Sequence, residues 1–352
     1  MPTIDRSGGQ NLRISTIVVI ILVILVVGLG SFYASFVLYP TVTISTTTLT
    51  ETSHSTTTVT APTVTSFDTI TTTLTFTTSV TVNRTITETA FLLNETLALS
   101  FYSKLAVKTG SGVLLQVFPG CQTIYLADDQ ALDYYALESI FNSTGNPAAS
   151  SEAQGINASI SAWGGLYKYW NPIFVAAGEY PSTWTIENGV DAQIGSIVSA
   201  GQNYSVMATI FSPNPNFNYQ NYSDMDLYAS LWNLHAGNYT AAENAFLTAQ
   251  SFWTGYGFAD QAFSNELYAS YKLALDLIAW KSLEANPNTS AFANNYVSEM
   301  GNVASIMSLL QNTDGGVWTN YKIDNGQIIF GSGVSLENGE TTSLFVIAAN
   351  TK

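Results

Sequence analysis

The sequence predicts a mainly α protein built in series: a cytoplasmic N-terminus (1–13), a transmembrane helix (14–38), an extended threonine-rich stalk (39–90) and an all-α ectodomain of antiparallel helical hairpins (91–352). Three observations predict it. An uncharged apolar run occupies 14–38, a threonine-dominated tract follows it, and beyond residue 91 apolar residues recur at helical spacing.

Every residue from 17 to 27 is apolar, so no face of such a helix suits water. At about 1.5 Å per residue the run crosses a bilayer core of about 30 Å. Arg6 and Arg13 precede it, and no Lys or Arg follows until Arg84. That bias places the N-terminus in the cytoplasm and the remainder outside, as a single-pass protein of the plasma membrane. The alternative is a cleaved signal peptide, whose apolar region usually spans only about 7 to 15 residues.

The tract after the run is of low complexity, with Thr46-Thr47-Thr48, Thr56-Thr57-Thr58 and Thr71-Thr72-Thr73. Such composition is typical of O-glycosylated spacers. The alternation Thr41-Val42-Thr43-Ile44 supports a second reading, strands paired between neighbouring chains, which would give oligomerisation through the stalk. Acceptor triplets Asn-x-Ser/Thr begin at Asn83, Asn94, Asn142, Asn157, Asn203, Asn221, Asn238 and Asn288, all on the side read as extracellular, which predicts a glycoprotein.

The formal net charge is −15 although only 10% of residues are charged, so Lys and Arg are scarce and a nucleic-acid partner is not expected. With 46% hydrophobic residues, including 19 Tyr, 18 Phe and 7 Trp, the region past the stalk can build a sizeable core. Cys121 is the only cysteine, so no intramolecular disulfide forms, and His54 and His235 are the only histidines. A Cys/His zinc site is therefore not expected, and no metal or cofactor is assigned.

Helices follow from apolar stripes. Leu132, Tyr135, Ala136 and Ile140 form one, Leu227, Leu231 and Leu234 a second, and Leu267, Tyr271, Ala274, Leu275 and Ile278 a third. Thr240 with Glu243 reads as a capping box, Gly237-Asn238 as a tight turn and Asn286-Pro287 as a helix stop. Between the helices, 163–217 is rich in Gly, Pro, Asn and aromatics and reads as long loops with short strands.

Several helices open on acids: Asp128-Asp129-Gln130-Ala131-Leu132, Asp224-Met225-Asp226-Leu227, Asp260-Gln261-Ala262-Phe263 and Glu340-Thr341-Thr342-Ser343-Leu344. Capping explains any one of them, because a carboxylate at a helix N-terminus accepts from orphan amides and complements the dipole. As a set they imply more: helices arranged with their N-termini at one end would gather these carboxylates in one place.

Leu309-Leu310-Gln311-Asn312-Thr313-Asp314-Gly315-Gly316-Val317-Trp318, followed by Glu340-Thr341-Thr342-Ser343-Leu344-Phe345-Val346-Ile347-Ala348, resembles an outer helix end, a glycine turn and the next inner helix of the α/α-toroid superfamily. That superfamily includes six-hairpin glycosidases, polysaccharide lyases and terpene cyclases, and the resemblance covers the chain from Leu126 onward. Trp318 sits one residue later than the Gln/Trp repeat of triterpene cyclases requires. The Asp-rich acid motif of the cyclases is missing as well. The likeness is therefore to an architecture. The stalk and acceptor triplets also resemble those of archaeal cell-surface proteins.

Two functions fit. In the first, the ectodomain binds or processes carbohydrate, as a glycoside hydrolase or a lyase. The glycosidase branch that it resembles uses two carboxylates and stacks sugars on aromatic rings. The candidate acids are Asp129, Asp260 and Glu340, with Asp128 and Asp226 as neighbours able to raise a partner's pKa, and the candidate platforms are Trp163, Tyr167, Trp170, Trp184 and Trp253. Core packing is the competing explanation for each aromatic. In the second, the chain is a non-catalytic envelope or adhesion glycoprotein. The expected partners are the lipid bilayer and polysaccharide or surface-layer proteins.

Overall fold

The computed structural model describes residues 91–126, 128–166, 168–181, 188–212 and 217–352, all within the compact unit Thr89–Lys352. The expected cytoplasmic segment, transmembrane helix and stalk lie outside the described residues, as do Asn83, Tyr167 and Trp184.

The chain enters α1 (Glu95–Leu105), whose N-cap Asn94 accepts from the Leu97 amide at 3.1 Å. The antiparallel pair β1 (Ala106–Lys108) and β2 (Val113–Leu115) follows, then β3 (Thr123–Tyr125), α2 (Asp129–Thr144) and α3 (Pro147–Ser161). A buried 3-10 helix, Pro172–Ala177, precedes a long hairpin of β4 (Asn188–Ser199) and β5 (Gln202–Ser212), and β3 adds to β5 in parallel. Next come α4 (Ser223–His235), α5 (Tyr239–Gln250), β6 (Tyr268–Ala269), α6 (Ser270–Ala285), α7 (Ser290–Ala293) and α8 (Val297–Leu310). The chain closes with β7 (Val317–Trp318), β8 (Asn320–Asp324), β9 (Gln327–Ile329), β10 (Glu337–Asn338) and α9 (Gly339–Asn350).

The centre is a row of four helices, α2 against α9, α9 against α6 and α6 against α4. α6 and α9 are buried nearly all round, with Leu273 through Ala279 and Thr341 through Ala348 inside, as expected of interior helices. Each central helix carries an outer one: α3 on α2, α5 on α4, α8 on α6 and α1 on α9. The remaining side is filled by Pro172–Ala177, which packs on α4, α2, α6 and α9.

The all-α toroid of helical hairpins is corrected here. About half of the described residues are helical and about a fifth lie in strands, in four small sheets. The reason is local: 163–217 lacks a helical stripe and supplies instead the 3-10 helix and a hairpin whose strands alternate in burial. The single-pass plasma-membrane reading is corrected on the same residues, because no helix among them is long and apolar enough to cross a membrane. The capping box also differs: Thr240 lies inside α5, whose N-cap is Asn238, and that side chain makes no capping bond.

Gln130 fixes where α2 begins. Its amide donates to the Leu115 carbonyl at 2.9 Å and accepts from the Leu115 amide at 2.8 Å, completing the free edge of β2. The start of α9 is set by the β7–β10 pairing of Val317 with Asn338, and Asn338 then accepts from the Thr341 amide at 2.8 Å. Glycine is required at the preceding turn. Gly315 has φ +104°, and a Cβ there would stand 1.8 Å from the Leu97 carbonyl oxygen of α1, while one on Gly316 would stand 2.6 Å from the Phe101 ring. Gly315→Ala is expected to destabilise the protein by about 2–5 kcal/mol, through backbone strain and a steric clash together, as measured by denaturant unfolding.

Candidate active site

The central helices α2, α4, α6 and α9 bring their N-terminal turns together. Asp128, Asp129 and Asp133 arrive on α2, Asp224, Asp226 and Tyr228 on α4, Tyr271 and Lys272 on α6, and Glu340 on α9, while β4 adds Asp191. Their charges act on one another: Glu340 is influenced by Asp128, Asp224, Asp133 and Asp191, and Asp129 by Asp128, Glu340, Asp133 and Asp191. Of the three sequence candidates, Asp129 and Glu340 are thus neighbours in one site.

Asp260 belongs to a different arrangement. It accepts from the Ser223 amide and hydroxyl, each at 2.7 Å, and from the Lys272 ammonium. Lys272 also lies 3.5 Å from Asp224, whose other oxygen accepts from the Tyr271 hydroxyl at 3.0 Å. Burial alone would raise the Asp260 carboxyl, but Lys272 and the Ser223 bonds outweigh it and hold the group below its ordinary value. Asp260 is therefore an ionised structural anchor, which pins the loop ahead of α6 to the start of α4.

On the other side no cation intervenes, and desolvation decides. It drives Glu340 up to about 8, with Asp128 next in effect, although the residue remains partly exposed. Among the described residues nothing donates a hydrogen bond to its carboxyl. Asp129 is 4% exposed and is raised well above its ordinary value by burial and then by Asp128. Asp133 rises to about 7 through burial, opposed by the Ser343 hydroxyl that donates to it at 2.6 Å. Asp226 also rises to about 7, through burial and then Asp224.

Asp128 combines partial exposure with defined bonding. Its Oδ2 accepts from the Thr209 hydroxyl at 2.7 Å and the Asn171 amide at 3.1 Å. Burial raises it, and the Thr209 bond opposes the rise. Sequence reading treated Asp128 as an accessory to Asp129, yet Asp128 is the more accessible of the two. Tyr271, Tyr228, Lys272, Thr209 and Asp191 were not singled out for this site; the Tyr-Lys pair opening α6 was the available signal.

The aromatic candidates pack elsewhere. The Trp163 ring covers Gly195, where a Cβ would stand 2.3 Å from it, at the register shift in β4. Trp170 meets Phe174 edge-on at 5.6 Å, and Trp253 pairs with Phe258 at 5.4 Å. These three are partly buried and pack against the hydrophobic core. Asn94, Asn142, Asn157, Asn203, Asn221, Asn238 and Asn288 are all exposed.

A cleft of about 370 Å³ opens toward the opposite ends of the same helices, between Tyr135, Tyr180, Leu231, Ile278 and Asn350. It holds none of the clustered acids. Perturbed, interacting carboxyls mark a chemical site better than volume does, so the N-terminal cluster is the stronger candidate. Among the described residues no group of three His, Cys, Asp or Glu is placed to hold a metal ion. Comparison with known proteins found no matching family model, no similar curated protein and no similar solved structure.

A carboxyl whose folded pKa exceeds its unfolded value contributes stability that is fully present below the unfolded pKa and is lost as pH rises through the folded one. Glu340, Asp133 and Asp226 all shift this way, from ordinary values of 4.5 and 3.8 to about 8, 7 and 7. The melting temperature is therefore expected to fall between about pH 5 and pH 9, and a flat or rising profile would refute the assignment. Lys272→Met is expected to cost about 3–5 kcal/mol, because it leaves Asp260 and Asp224 without their cation.

Proposed function

We propose that this domain hydrolyses glycosidic bonds by acid–base catalysis, with Glu340 as the acid and Asp128 as the base. The observation that carries the reading is the partly exposed Glu340, protonated up to about pH 8, beside a second partly exposed carboxyl bonded by Thr209 and Asn171. Two interacting titratable groups with different environments are what such a reaction needs.

Glu340 gives its proton to the leaving glycosidic oxygen as the carbon–oxygen bond breaks. Water forms the new bond to the anomeric carbon and releases a proton to Asp128. Proton exchange with solvent then restores both groups. The lyase alternative is less well supported, since lyases must bind anionic uronates. Among the described residues the only cation ion-paired to these acids is Lys272, and Asp260 and Asp224 already engage it.

The test is release of reducing ends from a polysaccharide panel. Glu340→Gln and Asp128→Asn are each expected to lower kcat/KM by about 10²–10⁴ while the fold is retained. The rate is expected to decline as pH rises through about 8, where Glu340 loses its proton. Full activity in both variants would overturn the reading.

A further inference from the structure

Resting on that reading, we infer that Tyr125 is a positioning residue for the base Asp128: by donating to Asp191 it leaves the single hydrogen of the Thr209 hydroxyl for Asp128. The backbone register puts the three side chains together. Asp191 on β4 stands opposite Thr209 on β5, and Tyr125 on β3 stands beside Met207, two residues before Thr209 on the same strand. Successive side chains alternate between the faces of a sheet, so Tyr125, Asp191 and Thr209 share one face. Asp128 comes shortly after β3, as the N-cap of α2, and its carboxyl meets Thr209 there.

The argument counts hydrogens. Thr209 Oγ1 lies 2.7 Å from Asp128 Oδ2 and 2.9 Å from Asp191 Oδ1, yet the hydroxyl has one hydrogen to give. Whichever carboxylate it turns away from faces its lone pairs and needs another donor. Asp191 has one, because the Tyr125 hydroxyl bonds to it. Burial first, and then the Asp191 charge, hold that hydroxyl above its ordinary value, so it stays a donor across the pH range of the reaction.

Asp128 depends on this hydrogen. Asp191, Asp129, Asp133 and Glu340 all interact with its charge, and each bears the same sign when ionised. The nearby cation, Lys272, is held by Asp260 and Asp224 instead. Asn171 reaches the same oxygen of Asp128 at 3.1 Å, but the Thr209 bond is the shorter and is the largest effect opposing burial. A hydrogen bond to the ionised form favours that form, which is the one a base requires.

The experiment follows the Asp128 carboxyl by carboxyl-carbon NMR in the full chain labelled at aspartate, with its resonance assigned by loss in Asp128→Asn, alongside kcat/KM against pH. Thr209→Val and Tyr125→Phe are each expected to move the Asp128 titration and the acid limb of kcat/KM up by about one pH unit, and Thr209→Ser to restore both. In an Asp191→Asn background, Tyr125→Phe is expected to have no further effect, because Tyr125 acts through Asp191. An unmoved Asp128 titration in Tyr125→Phe, or a shift that persists undiminished beside Asp191→Asn, overturns the inference and leaves the hydrolase reading intact. A moved titration in a chain that cleaves no polysaccharide supports the hydrogen assignment and overturns the hydrolase.

Discussion

Removing carboxyl groups from water without supplying cations is the constraint on which this structure turns. Each acid-bearing central helix presents its positive dipole end to its own carboxyls, which favours ionisation by well under about 2 kcal/mol. Desolvation opposes this and prevails for Glu340, Asp129 and Asp226. It loses only at Asp260, where an ammonium and two Ser223 donors are in direct contact. Buried carboxyls in helix first turns and the carboxyl of the Asp260 loop are therefore shifted in opposite directions, and the difference is the reach of Lys272 and the Ser223 donors.

This division gives the fold its rigidity and its chemistry from the same parts. The Asp260–Lys272–Asp224 group locks the start of α6 to the start of α4 and uses its charges fully in doing so. The Asp128–Asp129–Glu340 group is backed by neutral hydroxyls and amides instead: Thr209, Asn171 and, behind Asp133, Ser343 bonded in turn to Tyr102. Neutral donors orient a carboxyl without fixing its charge. Gly339 contributes by absence, since a Cβ on it would stand 3.2 Å from Asp133.

The sequence made three acidic helix openings legible, at Asp128-Asp129, Asp224-Met225-Asp226 and Glu340, because a 3.6-residue stripe and a carboxylate before it are local signals; Asp260, expected to open a helix, lies in a loop instead. It ranked the acids poorly because rank depends on partners far along the chain. Asp260 looked equivalent to Glu340 until Lys272, at the start of a different element, reached it. Trp163 looked like a platform because nothing local shows that Gly195 offers it a flat backbone surface to cover. Most strands were missed for a simpler reason: β1, β2, β3, β6, β7 and β10 have two or three residues each, too few to display a period. The long β4–β5 hairpin turns through Ala200-Gly201 with φ of 51° and 80°, and alanine at such a position carries none of the usual Asn-Gly or Asp-Gly signal.

A second pair of acids lies between α6 and α8. Asp276 on α6 is raised well above its ordinary value by burial and then by Glu299 on α8, and Gln250 donates to it. Asp276 itself has no exposed surface. Its perturbation has the same direction as that of Asp129, and its carboxyl is wholly buried. Perturbed ionisation alone therefore does not identify a reactive centre in this fold. What distinguishes Glu340 and Asp128 is that each is surrounded densely enough to be shifted and remains open enough to be touched.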